Sequence, residues 1–176
     1  MKNIDIFCFG FGQIAKNFVN KIQSEKIKIS LSATSTKTTS NKIINGLSYK
    51  NYFFDTDSFD KDLIERLNKA DHILISIPPI DGIDLVLKNF SKILDSSKLR
   101  WVTYLSATSV YGDHKGGWVD EKSKTNPTSS NGIARLGAEK SWLSLGINKN
   151  FPIQIFRLSG IYSNEQNILT RLKSGN

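Results

Sequence analysis

Ile4-Asp5-Ile6-Phe7-Cys8-Phe9, followed directly by Gly10-Phe11-Gly12-Gln13-Ile14-Ala15, is the stretch from which the fold can be read. The first six residues are mostly apolar and short enough for a strand. Beyond the glycines, Phe18, Val19 and Ile22 recur on one side at helical spacing, so a strand, a tight turn and an amphipathic helix follow one another. Gly10 permits the turn, Gly12 lets backbone approach a ligand closely, and the small Ala15 lets the helix pack against the strand. The amides of the helix N-terminus then face whatever lies beyond the strand, and that place suits an anion. Gly10, Gly12, Gln13, Ile14 and Ala15 are therefore candidate residues for cradling a dinucleotide pyrophosphate. The bland counterpart is a glycine-rich turn in an α/β protein without a ligand.

Outward from this unit, short β-branched runs alternate with longer amphipathic ones. Strands are expected at Ile4–Phe9, Ile27–Ser32, Tyr52–Asp55, His72–Ile77, Trp101–Ser106 and Ile153–Leu158. Helices are expected at Gln13–Ser24, Lys61–Lys69, Ile83–Leu94 and Ile133–Leu145, with Asp60, Asp81 and Gly82 as capping candidates. This order predicts an α/β fold, a doubly wound parallel sheet with helices on both faces. Ser32–Ser40 and Gly112–Gly132 are polar and read as loops. The second is long, and long loops in compact domains are more often functional than idle.

With 176 residues, the chain is the size of one domain and can bury a core without disulfide or metal staples. Hydrophobic residues make up 39% and charged residues 23%, which excludes collagenous, disulfide-rich and wholly disordered classes. The net charge of +8 raises nucleic acid as a partner, but the lysines are scattered and no basic run appears. No nucleic-acid partner is expected. Cys8 is the one cysteine and sits in the first apolar run, so it reads as a buried strand residue. No apolar run approaches the roughly 20 residues needed to cross a bilayer, and no signal peptide is evident. A cytoplasmic protein with no membrane partner and no metal site is expected.

A ribose 2′-hydroxyl is usually read by an Asp or Glu after the second strand. Here that stretch carries Thr34, Ser35, Thr36 and Lys37, hydroxyls and a cation that suit a 2′-phosphate better, so NADP is favoured over NAD. The plain alternative is that Lys37 is a solvated loop charge. The fourth strand ends in Ser76-Ile77-Pro78-Pro79, where two prolines remove backbone donors. Ile77, Pro78 and Pro79 thus form either a wall of the ligand cleft or a simple strand terminator.

At Leu105-Ser106-Ala107-Thr108-Ser109-Val110-Tyr111-Gly112-Asp113 the chain resembles the short-chain dehydrogenase/reductase superfamily, in its extended and atypical, NAD-dependent epimerase/dehydratase-like branch. Asp120-Glu121, Asn126-Pro127, Arg135 with Glu139, and Arg157-Leu158-Ser159-Gly160-Ile161-Tyr162 follow in the family's order. The resemblance implies a Rossmann-type domain over residues 1–162 that binds NADP or NAD. Residues 163–176 would then begin a C-terminal substrate lobe that is largely absent, their expected helix starting at Ile168.

The resemblance also implies catalysis by a Ser or Thr together with a Tyr and a Lys four residues apart. Ala107 stands at the Ser or Thr position, flanked by Ser106 and Thr108; Asn131 stands at the Tyr position and Arg135 at the Lys position. Asn131 cannot pass a proton as tyrosine does. Arg135 stays protonated and can bond cofactor ribose or phosphate, or else pair with Glu139 one helical turn on. Candidates for substitute chemistry are Thr108, Tyr111, His114, Asn131 and Arg135, with His114 having the ordinary pKa for acid/base work. Ser106 and Arg135 join the cofactor-binding candidates. Trp118 and Trp142 divide between a loop anchor and helix core.

Two readings of function result. One is an NADP-preferring protein acting on a small-molecule or nucleotide-sugar-like substrate with a replaced catalytic triad. The other is a non-catalytic dinucleotide-binding sensor or assembly module. A homodimer paired through the Arg135 helix is expected by resemblance.

Overall fold

Strand β1 (Ile4–Phe9) has Ile6, Phe7, Cys8 and Phe9 almost wholly buried, so it is apolar on both faces. A strand of that kind lies between two layers of helix. The computed structural model describes residues 3–94, 99–163, 167 and 172–173. In it β1 leads through the glycine turn into α1 (Gln13–Ser24) and then β2 (Ile29–Ser35), which pairs parallel to β1 from Ile4 with Ile29 to Cys8 with Ala33. A hairpin of β3 (Ser40–Ile44) and β4 (Leu47–Asp55) follows, and β4 returns parallel to β2. The rest of the chain runs β5 (Ser58–Phe59), α2 (Lys61–Leu67), β6 (His72–Ile75), α3 (Leu85–Phe90), β7 (Trp101–Ala107), a 3₁₀ turn (Thr108–Val110), α4 (Ser130–Lys149) and β8 (Ile153–Leu158).

The strands form one sheet in the order β3-β4-β2-β1-β6-β7-β8, with β5 paired to β4. Among the described strands, the β3–β4 and β4–β5 pairs are antiparallel and the other pairs parallel. Side-chain alternation along β1 splits the core in two. Phe7 and Phe9 join Ile73, Ile75 and Tyr104 under Leu63 of α2, Phe90 of α3 and Trp142 of α4. Ile6 and Cys8 join Leu31 and Leu74 under Ala15 and Val19 of α1. Helices therefore cover both faces, which is the doubly wound arrangement expected.

Several expectations need correcting. The Ser/Thr-rich stretch from Ser32 is strand to Ser35, because buried hydroxyls there find long-range partners: Arg66 Nε donates to Ser32 Oγ at 2.8 Å. The hairpin strand β3 was not expected, although Asn45 (φ 45°) and Gly46 (φ 79°) form the left-handed pair that two-residue hairpin turns need. Asp84, not Asp81 or Gly82, caps α3, its Oδ1 accepting from Val86 N and Leu87 N at 2.9 Å. Its other oxygen accepts from Trp142 Nε1 at 2.8 Å, and burial raises its pKa against those bonds. Asp60 makes no cap bond; it accepts from Phe53 N instead. Helix α4 is longer than expected at both ends. Trp142 is fully buried core, whereas Trp118 stands wholly exposed on the long loop and anchors nothing there. Of the segment 163–176, residues 164–166, 168–171 and 174–176 lie outside the described ones, and with them most of the helix expected from Ile168.

His72, at the start of β6, carries a pH dependence. Burial lowers its pKa below the ordinary 6.5; Asp71 and Asp5 pull it up, Arg100 down, and its Nδ1 has no hydrogen-bond partner. Since the folded value lies below the unfolded one, the folded state resists protonation. Stability is full above about pH 6.5 and is lost as pH falls through the folded value. Melting temperature measured between about pH 7.5 and pH 5 should fall, and His72→Asn should flatten the slope. An unchanged slope in that variant would assign the effect elsewhere.

Candidate functional site

The glycine turn sits at the carboxyl end of β1, in the middle of the sheet. Gly10 has φ +78°, and a Cβ there would lie 2.7 Å from Ile77 Cγ2 and 2.8 Å from Ser76 Oγ, so no other residue fits. Its N–H donates to Thr34 Oγ1 at 2.9 Å, tying the turn to β2. Gly12 is different. Its backbone is extended, and a Cβ there would meet nothing within 4 Å. It caps α1 without a side chain, so the amides of the first turn have no side-chain acceptor. Ala15, fully buried, seats the helix on the sheet.

In front of Gly12 opens a cavity of about 300 Å³ lined by Gly12, Gln13, Ile14, Ser106 and Arg135, with Ser76, Ser159 and Ile161. Gln13 Nε2 donates to Tyr162 O at 3.1 Å, which draws the residues after β8 across the helix N-terminus. Arg135, on α4, donates from Nη1 to the carbonyl of Leu105 at 2.9 Å. Ser106 is 3% exposed, and its hydroxyl has no hydrogen-bond partner. Among the described residues the lining contains one cation and no carboxylate.

Five residues singled out from the sequence thus meet at one cavity. Others do not reach it. Thr34 is buried behind Gly10 within β2, its hydroxyl taken by the Gly10 amide, and Ser35, the last residue of that strand, is half-buried; of the four residues Thr34 to Lys37, Thr36 and Lys37 are exposed. Ser35 Oγ accepts from Asn51 Nδ2 at 2.7 Å. Ile77 packs on Gly10, while Pro78 is exposed and Pro79 half-buried. Thr108 and Asn131 are exposed, and neither they, Tyr111 nor His114 lines the cavity. His114 Nε2 lies 3.0 Å from Lys124 O within its own loop.

The anticipated pairing of Arg135 with Glu139 is replaced by another. Glu139, 2% exposed, accepts three bonds from Arg157 of β8 at 2.8–3.2 Å, and Arg157 lies 4.9 Å over the Tyr111 ring. Tyr111 is thus a buried packing residue. Ser76 and Ser159 were passed over as site residues; both follow strand ends at the carboxyl edge, where ligands bind in such sheets. Burial pushes the Tyr104 hydroxyl well above its ordinary range although Arg135 pulls the other way, and it pushes the Cys8 thiol up to about 12. Neither group supplies a proton carrier or nucleophile near neutral pH.

No protein-family model matches the chain, and no curated protein matches it. Solved structures do. A functionally unknown conserved protein from Silicibacter pomeroyi is 29% identical over 90% of this chain, with a TM-score of 0.70. UDP-glucuronic acid 4-epimerase from Bacillus cereus, solved with NAD, is 18% identical over 96% of the chain with a TM-score of 0.75. UDP-N-acetylglucosamine 4-epimerase from Bacillus cereus is 19% identical over 93%, with a TM-score of 0.71. The chain spans 54%, 61% and 56% of these proteins respectively. By its glycine turn, its sheet order and these likenesses, the chain has the fold of the extended, epimerase-like short-chain dehydrogenase/reductases over the part of those proteins that it spans.

Proposed function

We propose that this chain binds a nicotinamide dinucleotide at the glycine turn, within a protein of the epimerase/dehydratase-like type that acts on a small-molecule or nucleotide-sugar-like substrate. One observation carries the reading: the uncapped N-terminus of α1 faces open space at Gly12, on a cavity that also holds Arg135 and an unpartnered Ser106. These residues fit the group. The first-turn amides of α1 would hold the pyrophosphate, Gly10 and Ala15 shape the turn beneath it, and Ile77, packed on Gly10, would flank it. The cofactor, when bound, supplies a hydride donor or acceptor.

NADP is the preferred cofactor in this proposal. Thr36 and Lys37 lie exposed just past β2, and the residues from Ser35 to Thr39 include no carboxylate. Calorimetric titration should show tighter binding of NADPH than of NADH, and Lys37→Glu should reverse the order. Equal binding of both by the unaltered chain would remove Lys37 from the site.

A second reading, a dinucleotide-binding sensor or assembly module without turnover, is favoured by a specific arrangement. Among the described residues the cavity lining includes no Tyr, His or carboxylate, and Asn131 is exposed. Hydride transfer to a supplied substrate would exclude this reading. The cytoplasmic location belongs to the same proposal, as does a homodimer through α4, which exposes Ile133 and Ile147. Light scattering should report twice the chain mass, reduced to one by Ile147→Glu.

A further inference from the structure

The connections that enter the parallel strands share one edge of the sheet, opposite the glycine turn. Ile4 lies level with Ile29, Ile6 with His72, His72 with Trp101 and Val102 with Ile153, so β2, β1, β6, β7 and β8 begin within three residues of a common line. Lys26, Lys28, Lys92 and Arg100 stand on these connections, far apart in the chain and gathered by the sheet. All four are exposed, and none joins an ion pair among the described residues. The described carboxylates at this edge are otherwise engaged: Glu25 with Lys21, Glu65 with Lys69 and Asp5 with Arg66, while Asp71 is half-buried. Helices α1 to α4 all end here, and their carbonyl ends attract cations. Lys149 serves that need, its Nζ donating to the carbonyls of Lys92 and Leu94 at 3.0 and 2.9 Å. The other four keep their charge toward solvent. Among them Ile27, between Lys26 and Lys28, is 39% exposed.

We propose that this edge docks the chain on an anionic lipid bilayer, with Lys26, Lys28, Lys92 and Arg100 against the headgroups and Ile27 entering the headgroup layer. Contact of this kind needs no membrane-crossing helix. A bilayer is favoured over a nucleic acid on two observations: the cations follow one edge and not a groove, and the apolar side chain among them has no use on a phosphodiester backbone. The connections leaving the opposite edge carry Asp55, Asp60, Asp81, Asp113, Asp120 and Glu121, which an anionic surface repels. The contact therefore has one orientation, with the Gly12 cavity turned away from the lipid. It stands whether or not the cavity holds a dinucleotide.

The test is co-sedimentation of the full chain with vesicles of phosphatidylglycerol and phosphatidylcholine in equal parts, and with vesicles of phosphatidylcholine alone. The mixed vesicles should bind the chain at about 50 mM salt and at least tenfold more weakly at about 500 mM, and the neutral ones should not bind it. Lys28→Glu combined with Arg100→Glu should weaken binding at least tenfold, and Ile27→Asn several-fold. Lys122→Glu combined with Lys124→Glu makes the same change of charge on the loop after β7 and should have little effect, which separates a docking edge from the general pull of a +8 chain. Equal loss in the two double variants, unaltered binding in the first of them or in Ile27→Asn, or equal binding to neutral vesicles would overturn the proposal. So would no binding at the lower salt. A duplex of about 20 base pairs held more tightly than the mixed vesicles, and lost in the Lys28→Glu, Arg100→Glu variant, would give the edge to nucleic acid instead. Circular dichroism checks folding, and Lys26→Gln with Lys92→Gln carries the test if the first double variant does not fold.

Discussion

Glu139→Gln is expected to destabilise the protein by about 3–5 kcal/mol, the cost of leaving a buried charge without its partner. Glu139 is 2% exposed on α4 and accepts a forked set of bonds from Arg157 on β8, so the pair clamps the helix to the last strand. The bonds to Glu139 raise the Arg157 pKa against the opposing effect of burial; when that partner is removed, the intrinsic basicity of arginine keeps the guanidinium charged. Gln keeps the volume and one acceptor but removes the charge. For a domain of this size the loss corresponds to a fall in melting temperature on the order of 10 °C. Pairing Glu139→Gln with Arg157→Met should recover most of it, since an apolar replacement of the whole pair is often neutral. A single variant that melts with the unaltered protein would show that packing of Trp142 and Tyr104, not the ion pair, holds α4 in place.

Gly12→Asp separates binding from stability by moving them in different directions. The position is extended and has open space where a side chain would go, so the substitution is sterically free. Asp is also a favoured N-cap, and its carboxylate would accept bonds from the first-turn amides of α1. Stability should therefore stay within a few tenths of a kcal/mol of the original or rise. The same carboxylate would occupy the amides a pyrophosphate needs and repel it, so NADPH affinity should fall by roughly a hundredfold or more. Thermal melting and calorimetry on one preparation check both halves. Undiminished NADPH binding in the variant would place the nucleotide somewhere other than the Gly12 turn.

The site was legible where its requirements are local. The turn from Phe9 to Ala15 needs a left-handed residue, a bare cap and a small contact residue, and Gly10, Gly12 and Ala15 state these within six positions. Strands β1 and β8 and helix α1 have the bounds their periodicity predicts, because each buries a pattern that shows in a short window. Asn45-Gly46 was equally local, and the hairpin it makes was there to be read.

What the tertiary structure alone decided is which partner each polar group takes. Thr34 looked like a phosphate ligand in the chain but serves the Gly10 amide, 24 residues away, and lies buried. Glu139 had Arg135 one helical turn away and pairs instead with Arg157, 18 residues on. The reason is physical. A helix surface brings i and i+4 together weakly, in water, whereas the sheet brings distant residues together where water is excluded and a charge or hydroxyl must be satisfied. Periodicity and turn chemistry therefore determined the framework and the glycine cradle, and the packing of α4 on β7 and β8 determined that Arg135 lines the cavity, bonded to the Leu105 carbonyl and not to Glu139.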